Sequence, residues 1–270
     1  MGNAAFIVWR ESVEALLVVG ILHGFLARSG WQAGKRWLWG GVGAGLLLAG
    51  VLAAAISLAR SELAGMALDA FNTAIVLLAT VLIVQMVVWM RGHGASLKRE
   101  LESGAAQAAS RANGFGIAAL AALAVAREGA ETVVFLQGIA AAGSGDMVLG
   151  AALGFALALA TFWLLSKGAR WVSWRLFFRV SETLLLLLAC ALFTDGVDKL
   201  IGMEVLPTLA DPLWDASRLL DDTGNPGALI ASFSGWRARP AGMEVLAWLA
   251  FWSVSVWLVR RAGKTRGGQP

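Results

Sequence analysis

The chain has 270 residues, of which 58% are hydrophobic and only 15% are charged, and its mean hydropathy is +0.70. A soluble domain needs more polar surface than this, so the composition excludes an ordinary soluble protein and predicts one integral membrane domain in a lipid bilayer. The net charge of +4 is small and the basic residues lie in short loops, so nucleic-acid binding is not expected.

Seven apolar runs are long enough to cross a hydrocarbon core of about 30 Å, which takes about 20 helical residues. In chain order they cover residues 4–27, 37–59, 69–91, 114–141, 147–166, 177–199 and 243–260. The runs lack strict alternation of polar and apolar residues, so they are predicted to be helices and not barrel strands. The predicted fold class is therefore all-α, a polytopic membrane protein with seven transmembrane helices.

Lys and Arg residues are concentrated in alternate loops. The loops after the first, third and fifth runs and the tail 261–270 hold most of them, whereas the loop AAGSGDM holds none. The positive-inside rule therefore predicts that the N-terminus is outside and the C-terminus is cytoplasmic, in the cell inner membrane. This orientation makes 200–242 an external loop, followed by helix 7 at 243–260 and a cytoplasmic tail. The linker ASLKRELESGAAQAASRANG is predicted to be an amphipathic, solvated segment on the cytoplasmic side.

One charged motif occurs twice in the middle of apolar runs. RESVE begins at Arg10 in the first run and REGAE begins at Arg127 in the fourth, an offset of 117 residues. Repeat 1 is thus predicted over about 1–93 and repeat 2 over about 113–200. The first run enters the membrane from outside and the fourth from inside, so the copies form an inverted three-helix repeat with one extra helix. Paired small residues in the second and fifth runs predict close helix packing; they are Gly41, Gly45, Gly150 and Gly154.

The charged residues of the two motifs would lie near mid-membrane, where each ionised group costs at least ~2.5–3.5 kcal/mol. They must therefore compensate one another or a ligand. Two Arg against four Glu leave two formal negative charges, and a hard cation that prefers carboxylate oxygens supplies the missing positive charge. The candidate metal ligands are the four carboxylates Glu11, Glu14, Glu128 and Glu131, which lie beside the cations Arg10 and Arg127. Soft metals are disfavoured because Cys190 is the only thiol.

Other interpretations of the motifs stay open at this point. The charges also fit an ion-pair network that locks the first and fourth helices together, or a proton relay with one or two Glu protonated. An intramembrane enzyme with two Glu residues as acid and base is a further class, but the chain shows no nucleophile–base set and no nucleotide loop. A non-transporting sensor differs from a transporter in having no measurable ion flux.

The segment REGAETVVFLQG resembles the R-E-G-L-E motif of the fungal and bacterial high-affinity iron permeases, the oxidase-dependent iron transporter family. RESVEALLVVGIL resembles the first-helix copy of that motif, with Ser12 and Val13 at the middle positions. Three further segments are similar to bacterial members: FNTAIVLLATVLIVQMVVWMRGHG, LPTLADPLWDASRLLDD and SGWRARPAGMEVLAWLAFW. The resemblance covers nearly the whole chain.

This resemblance implies seven helices, an external N-terminus and iron import. It also implies that Glu11, Glu14, Glu128 and Glu131 are the ligands and that Arg10 and Arg127 support them. Iron would be the transported substrate, with no permanently bound cofactor and no enzymatic activity. It further implies ferric iron, produced from ferrous iron by an extracytoplasmic ferroxidase or iron-delivery protein. Transport of another divalent metal and proton-coupled metal transport are the alternatives, and a homo-oligomer is compatible with the sequence.

Five polar residues outside the motifs are secondary candidates for the ion path. Asp215 belongs to an acidic external segment that attracts cations, and Asp198 stands in TDGVDKL, which loosely matches the family's G-V-H-E-L. Asn72 lies within the third run, His93 at its cytoplasmic end, and His23 in the inner part of the first run. For the acids an ordinary solvated loop, and for the histidines an interfacial or packing role, are the alternatives.

Overall fold

The computed structural model describes residues 1–93, 97–143, 147–166, 174–220 and 225–264. In this part of the chain the helices are α1 (Gly2–Arg28), α2 (Gln32–Glu62), α3 (Met66–His93), α4 (Leu97–Ser110), α5 (Gly114–Ala141), α6 (Met147–Ser166), α7 (Trp174–Gly202), α8 (Asn225–Ser234) and α9 (Gly242–Lys264). The described residues form no strand, which confirms the all-α prediction.

Each of the seven predicted runs is a helix in the structure. Four of them, α2, α3, α6 and α9, contain segments that are long and apolar enough to cross a membrane. The other three, α1, α5 and α7, are 27, 28 and 29 residues long. Membrane crossing by all seven and the orientation of the termini stay predictions.

The apolar helices expose large hydrophobic side chains. On α2, Leu47 is 72% exposed and Val51 is 66% exposed, and α6 and α9 carry similar side chains. A soluble protein rarely leaves a continuous apolar face in water, so these faces fit contact with lipid acyl chains.

Hydroxyl groups inside these helices are satisfied within the helix itself. The buried Thr80 hydroxyl donates to the Val76 carbonyl at 3.0 Å, and the buried Thr194 hydroxyl donates to the Cys190 carbonyl at 3.0 Å. This bonding to the carbonyl four residues earlier lets a polar side chain lie in apolar surroundings without an orphaned donor.

The chain divides into two compact units, and each draws helices from both predicted repeats. One unit contains α1, α4, α6, nearly all of α2 and most of α5. The other contains α3, α7, α8, α9 and the C-terminal end of α5. Both charged motifs belong to the first unit.

Within the first unit, small residues allow two pairs of helices to approach closely. A Cβ added at Gly41 or Gly45 of α2 would collide with backbone atoms of α5, at Ala118 and Ala122 respectively. A Cβ added at Gly154 of α6 would collide with the Ala5 carbonyl of α1. The predicted close packing is confirmed, because the backbones touch where no side chain intervenes.

The linker after α3 differs from its prediction as a solvated segment. Residues 97–110 form helix α4, and Ala105 and Ala108 on this helix are buried in a cluster with Leu22, Leu26 and Ile117. Its predicted amphipathic character is confirmed, but the prediction of a solvated segment was wrong, because the short alanine side chains form an apolar stripe at helical spacing that covers the ends of α1 and α5. The charged residues Arg99 and Glu100 remain exposed on the other side.

Candidate metal site of paired carboxylates

The first motif is a closed, fully buried ion-pair cluster. Arg10 is 0% exposed, and its Nη1 donates to Glu11 Oε1 at 2.7 Å. Its Nη2 forms an ion pair with Glu14 Oε1, one helical turn further along α1. Residues four apart lie on one face of a helix, so the RESVE spacing brings one guanidinium between two carboxylates.

The second motif is more open. Arg127 Nε donates to Glu131 Oε1 at 3.0 Å and lies 3.9 Å from Glu128 Oε1. The Arg127 side chain is 41% exposed, whereas the two carboxylates beside it are 9% and 16% exposed. The same residue types at the same spacing therefore occupy different environments in the two copies.

Three carboxylates from the two motifs come together. Glu11, Glu128 and Glu131 each present one oxygen within 4.8 Å of the others, a spacing that fits a single metal ion. Glu14 is outside this trio and stays with Arg10, although it interacts electrostatically with Glu11 and Glu131. The structure thus brings together three of the four predicted ligands.

One oxygen of each carboxylate in the trio lacks a hydrogen-bond donor among the described residues. Within the described part of the chain, Oε2 of Glu11, Glu128 and Glu131 is buried and has no hydrogen-bond partner. A buried carboxylate oxygen without a donor is costly, and like charges this close repel one another. A cation bound by the three carboxylates would give the unbonded oxygens a partner and would reduce the repulsion between the charges. Hard cations prefer such oxygen ligands.

Comparisons with known proteins agree with the interpretation of this cluster as a metal site. The profile described as the iron permease FTR1 family matches residues 1–261. The chain belongs to this family. It is 29% identical over 272 residues to the ferrous iron permease EfeU of Escherichia coli O6:H1, with 96% of each chain covered. It is 28% identical over 255 residues to the ferrous iron permease EfeU of Yersinia pestis, covering 91% of this chain and 88% of the relative. No solved structure matches the chain.

Membership of the FTR1 family confirms the sequence resemblance from which iron was predicted as the transported ion. The family transports iron, so iron is the substrate that its membership assigns to this chain, and a transporter is favoured over an enzyme. The apolar helices make this permease an integral membrane protein.

Asp215, in the loop that is predicted to be external, is engaged in a local network. Its Oδ1 accepts from the Ser217 hydroxyl at 2.6 Å and from the Ser217 backbone N–H at 3.0 Å. Its Oδ2 lies 3.1 Å from Arg239 Nη2. The Ser217 bonds, together with Arg239, lower the pKa of Asp215 to about 2. Asp215 is about half exposed, so the network orders a surface loop whatever its role toward iron.

The remaining secondary candidates are not members of the carboxylate trio. Asp198 is exposed near the end of α7, and Asn72 is partly buried within α3. The His23 ring lies 6.3 Å from the Trp39 ring, and its buried Nδ1 has no hydrogen-bond partner among the described residues. His93 ends α3, and its side chain lies outside the described part of the structure. Their proposed roles in the ion path stay predictions.

A second group of ion pairs was not anticipated from the sequence. In the unit that holds α7 and α9, Arg237 Nη2 lies 3.6 Å from Asp195 Oδ1, and Arg237 Nε lies 3.9 Å from Glu244 Oε1. Glu244 Oε2 also accepts from the Ala241 backbone N–H at 2.9 Å, which caps the start of α9. The acid three residues after Ala241 was the available signal, since an N3 glutamate is typical of a helix start.

Proposed function

We propose that this permease imports iron across the cytoplasmic membrane through an ion site formed by Glu11, Glu128 and Glu131. The observation that carries the proposal is that one oxygen from each of three carboxylates lies within 4.8 Å of the others, with Glu11 and Glu128 buried and Glu131 partly buried. Arg10 would hold Glu11 in position from the α1 side, where Glu14 completes the charge balance. No permanently bound cofactor is needed, because iron is the substrate and passes through.

The charge balance supports a transported cation over a purely structural lock. Four Glu and two Arg leave the two motifs with excess negative charge, and the trio has unbonded oxygens. An ion-pair lock is more stable when every buried charge has its partner, because an uncompensated one is strongly destabilising. The surplus carboxylates are therefore best explained by a cargo ion.

We further propose seven transmembrane helices arranged as an inverted three-helix repeat plus α9, with an external N-terminus and a cytoplasmic C-terminus. The glycine packing supports this arrangement. The second helix of repeat 1 lies against the first helix of repeat 2, through Gly41 and Gly45, and α6 lies reciprocally against α1. Inverted repeats place the substrate site near mid-membrane, where the two motifs stand.

For the oxidation state, we propose ferric iron, produced outside the membrane by a partner ferroxidase or iron-delivery protein. Three carboxylates facing one point suit a small, highly charged ion, since hard cations prefer oxygen ligands. Ferrous iron taken up directly is the second candidate, because the curated relatives are named ferrous iron permeases and the motifs carry two formal negative charges in excess.

The test is uptake of radioactive iron into proteoliposomes that contain the purified chain. Iron is supplied either as ferrous ion kept reduced by ascorbate or as ferric citrate, with and without a pH gradient. Glu131→Ala and Glu14→Ala are expected to abolish uptake while the protein still inserts. Glu102→Ala is the control, because Glu102 pairs with the exposed Arg28 at 3.1 Å, outside the motifs.

Each arm of the experiment decides one part of the proposal. Normal flux in the Glu131→Ala/Glu14→Ala double variant would overturn the carboxylate site, and absence of flux with both iron forms would overturn transport by the isolated chain. Uptake of ferrous iron alone would favour the second candidate. Dependence of the rate on the pH gradient would indicate proton coupling, and equal uptake of manganese or zinc would indicate a general divalent-metal transporter.

A further inference from the structure

The two arginines of the paired motifs differ in burial. Arg10 is 0% exposed and contacts two carboxylates, one of which belongs to the trio. Arg127 is 41% exposed and contacts Glu131 closely and Glu128 more distantly, and both of these belong to the trio. The two R-E-x-x-E motifs thus hold one enclosed arginine and one partly exposed arginine.

We infer that the two arginines have different roles. Arg10 is a fixed structural counter-ion, whereas Arg127 is a displaceable counter-ion that leaves Glu131 when iron binds. This inference rests on the proposed function of the carboxylate trio.

Competition for the same two carboxylate groups is the first step of the argument. An ion bound by Glu11, Glu128 and Glu131 needs oxygens from two residues that Arg127 already contacts, at 3.0 Å and 3.9 Å. A guanidinium and a metal ion close to one carboxylate pair repel each other strongly where water is scarce. Iron binding and the Arg127–Glu131 bond therefore oppose one another.

The freedom to move is the second step. Arg127 has an exposed side toward which a long, flexible side chain can swing, whereas Arg10 has none. Moving Arg10 would leave buried charges on Glu11 and Glu14 without their partner, which is strongly destabilising. Both arginines contact the trio, but only Arg127 has an exposed side toward which it can move away from the carboxylates.

A displaceable counter-ion also explains how a site with three carboxylates avoids holding its cargo too tightly. The return of Arg127 to Glu131 would compensate the acid as the ion leaves, so that release does not strand a buried negative charge. Arg127 would then weaken binding and speed release. It acts through Glu131 and is a positioning residue for the transported ion.

The test compares Arg127→Gln, Arg127→Lys and Arg10→Gln in the full-length protein. The probe is whichever of ferrous iron or ferric citrate the wild type transports, with binding measured in nanodiscs and flux in proteoliposomes. Arg127→Gln is expected to tighten Kd about tenfold or more, because a repelling charge is gone, and to lower both the apparent KM and the maximal rate. Arg127→Lys is expected to stay within about threefold of the wild-type Kd, since the charge is kept.

The expected result for Arg10→Gln is the opposite, a loss of both iron binding and thermal stability. An unchanged or weaker Kd in Arg127→Gln would overturn the inference, because a merely structural arginine does not weaken binding. Failure of Arg127→Gln to fold would also overturn it, since Arg127 would then be a structural counter-ion like Arg10. Arg28→Gln is the matched control, as Arg28 is 69% exposed and pairs outside the motifs. A wild-type protein without flux would refute the proposed function itself and not this division of roles.

Discussion

Gly129 of α5 lies directly against Ala49 of α2, and a Cβ at position 129 would come within 2.6 Å of the Ala49 methyl group. Gly129 stands between two members of the carboxylate trio, Glu128 and Glu131. The close contact of α2 with α5 therefore lies at the same level as the ion site, and it constrains the helix that carries two of the three ligands.

Gly129→Ala is expected to destabilise the protein by about 1–3 kcal/mol and to reduce iron uptake, because α5 must shift away from α2. Thermal unfolding in detergent and proteoliposome flux measure the two effects. The double change Gly129→Ala/Ala49→Gly should restore both, as it removes the methyl group that clashes. Gly43→Ala is the control, since a Cβ there meets no described atom within 4 Å. Equal effects of Gly129→Ala and Gly43→Ala would contradict the packing argument.

Glu128→Asp is expected to lower the iron uptake rate at least tenfold, although it conserves the charge. The shorter side chain withdraws one oxygen from the trio, and metal sites tolerate little displacement of a ligand. Flux in proteoliposomes measures the effect, and Glu102→Asp, at an exposed ion pair, is the control with an unchanged rate. An unimpaired Glu128→Asp variant would show that Glu128 contributes charge alone.

Arg10→Gln is expected to reduce stability by about 3–5 kcal/mol, because it leaves two buried carboxylates uncompensated. Combining it with Glu14→Gln should recover part of that loss by removing one of the stranded charges. Thermal unfolding in detergent, compared with Arg28→Gln, provides the measurement; an exposed pair contributes at most about 1 kcal/mol. If Arg10→Gln and Arg28→Gln unfold at the same temperature, the buried cluster around Arg10 does not stabilise the fold more than an exposed ion pair does.

Ala105→Asp is expected to destabilise the protein by about 3 kcal/mol, since it places a charge in the apolar cluster that α4 covers. The neighbouring change Ala106→Asp should have little effect, because Ala106 is exposed. Unfolding temperatures of the two variants distinguish a packed α4 from a solvated linker, and similar temperatures would favour the solvated linker.

The Asp215 network should make the loop between the end of α7 and α8 sensitive to acid. The pKa of Asp215 is about 2 in the folded protein and about 3.9 in an unfolded chain, so its stabilisation is complete above about pH 4. It is lost as pH falls toward about 2. The stability difference between wild type and Asp215→Asn should therefore be constant from about pH 5 to 8 and shrink below about pH 4. A difference that does not shrink between about pH 5 and pH 2 would contradict the lowered pKa.

The positions of the helices were predictable because their causes are local. Hydrophobic runs of membrane length were found as helices at all seven predicted places, with boundaries shifted by a few residues. Small-residue pairs such as Gly41 and Gly45 also predicted packing faces correctly. Helix α4 was missed because its apolar stripe consists of alanines, whose hydrophobic signal is weak until partners such as Leu22 and Leu26 cover it.

By itself, the sequence determined that this is an all-helical membrane protein with two R-E-x-x-E motifs whose carboxylates outnumber their arginines. The tertiary structure decided which carboxylates meet, because Glu11 and Glu131 are 120 residues apart and only the packing of α1 and α5 in one unit sets their distance. It also decided that Glu14 stays with Arg10 and that Arg127 is exposed. Two motifs of the same spacing predict the same local geometry, whereas burial depends on the helices that surround each copy.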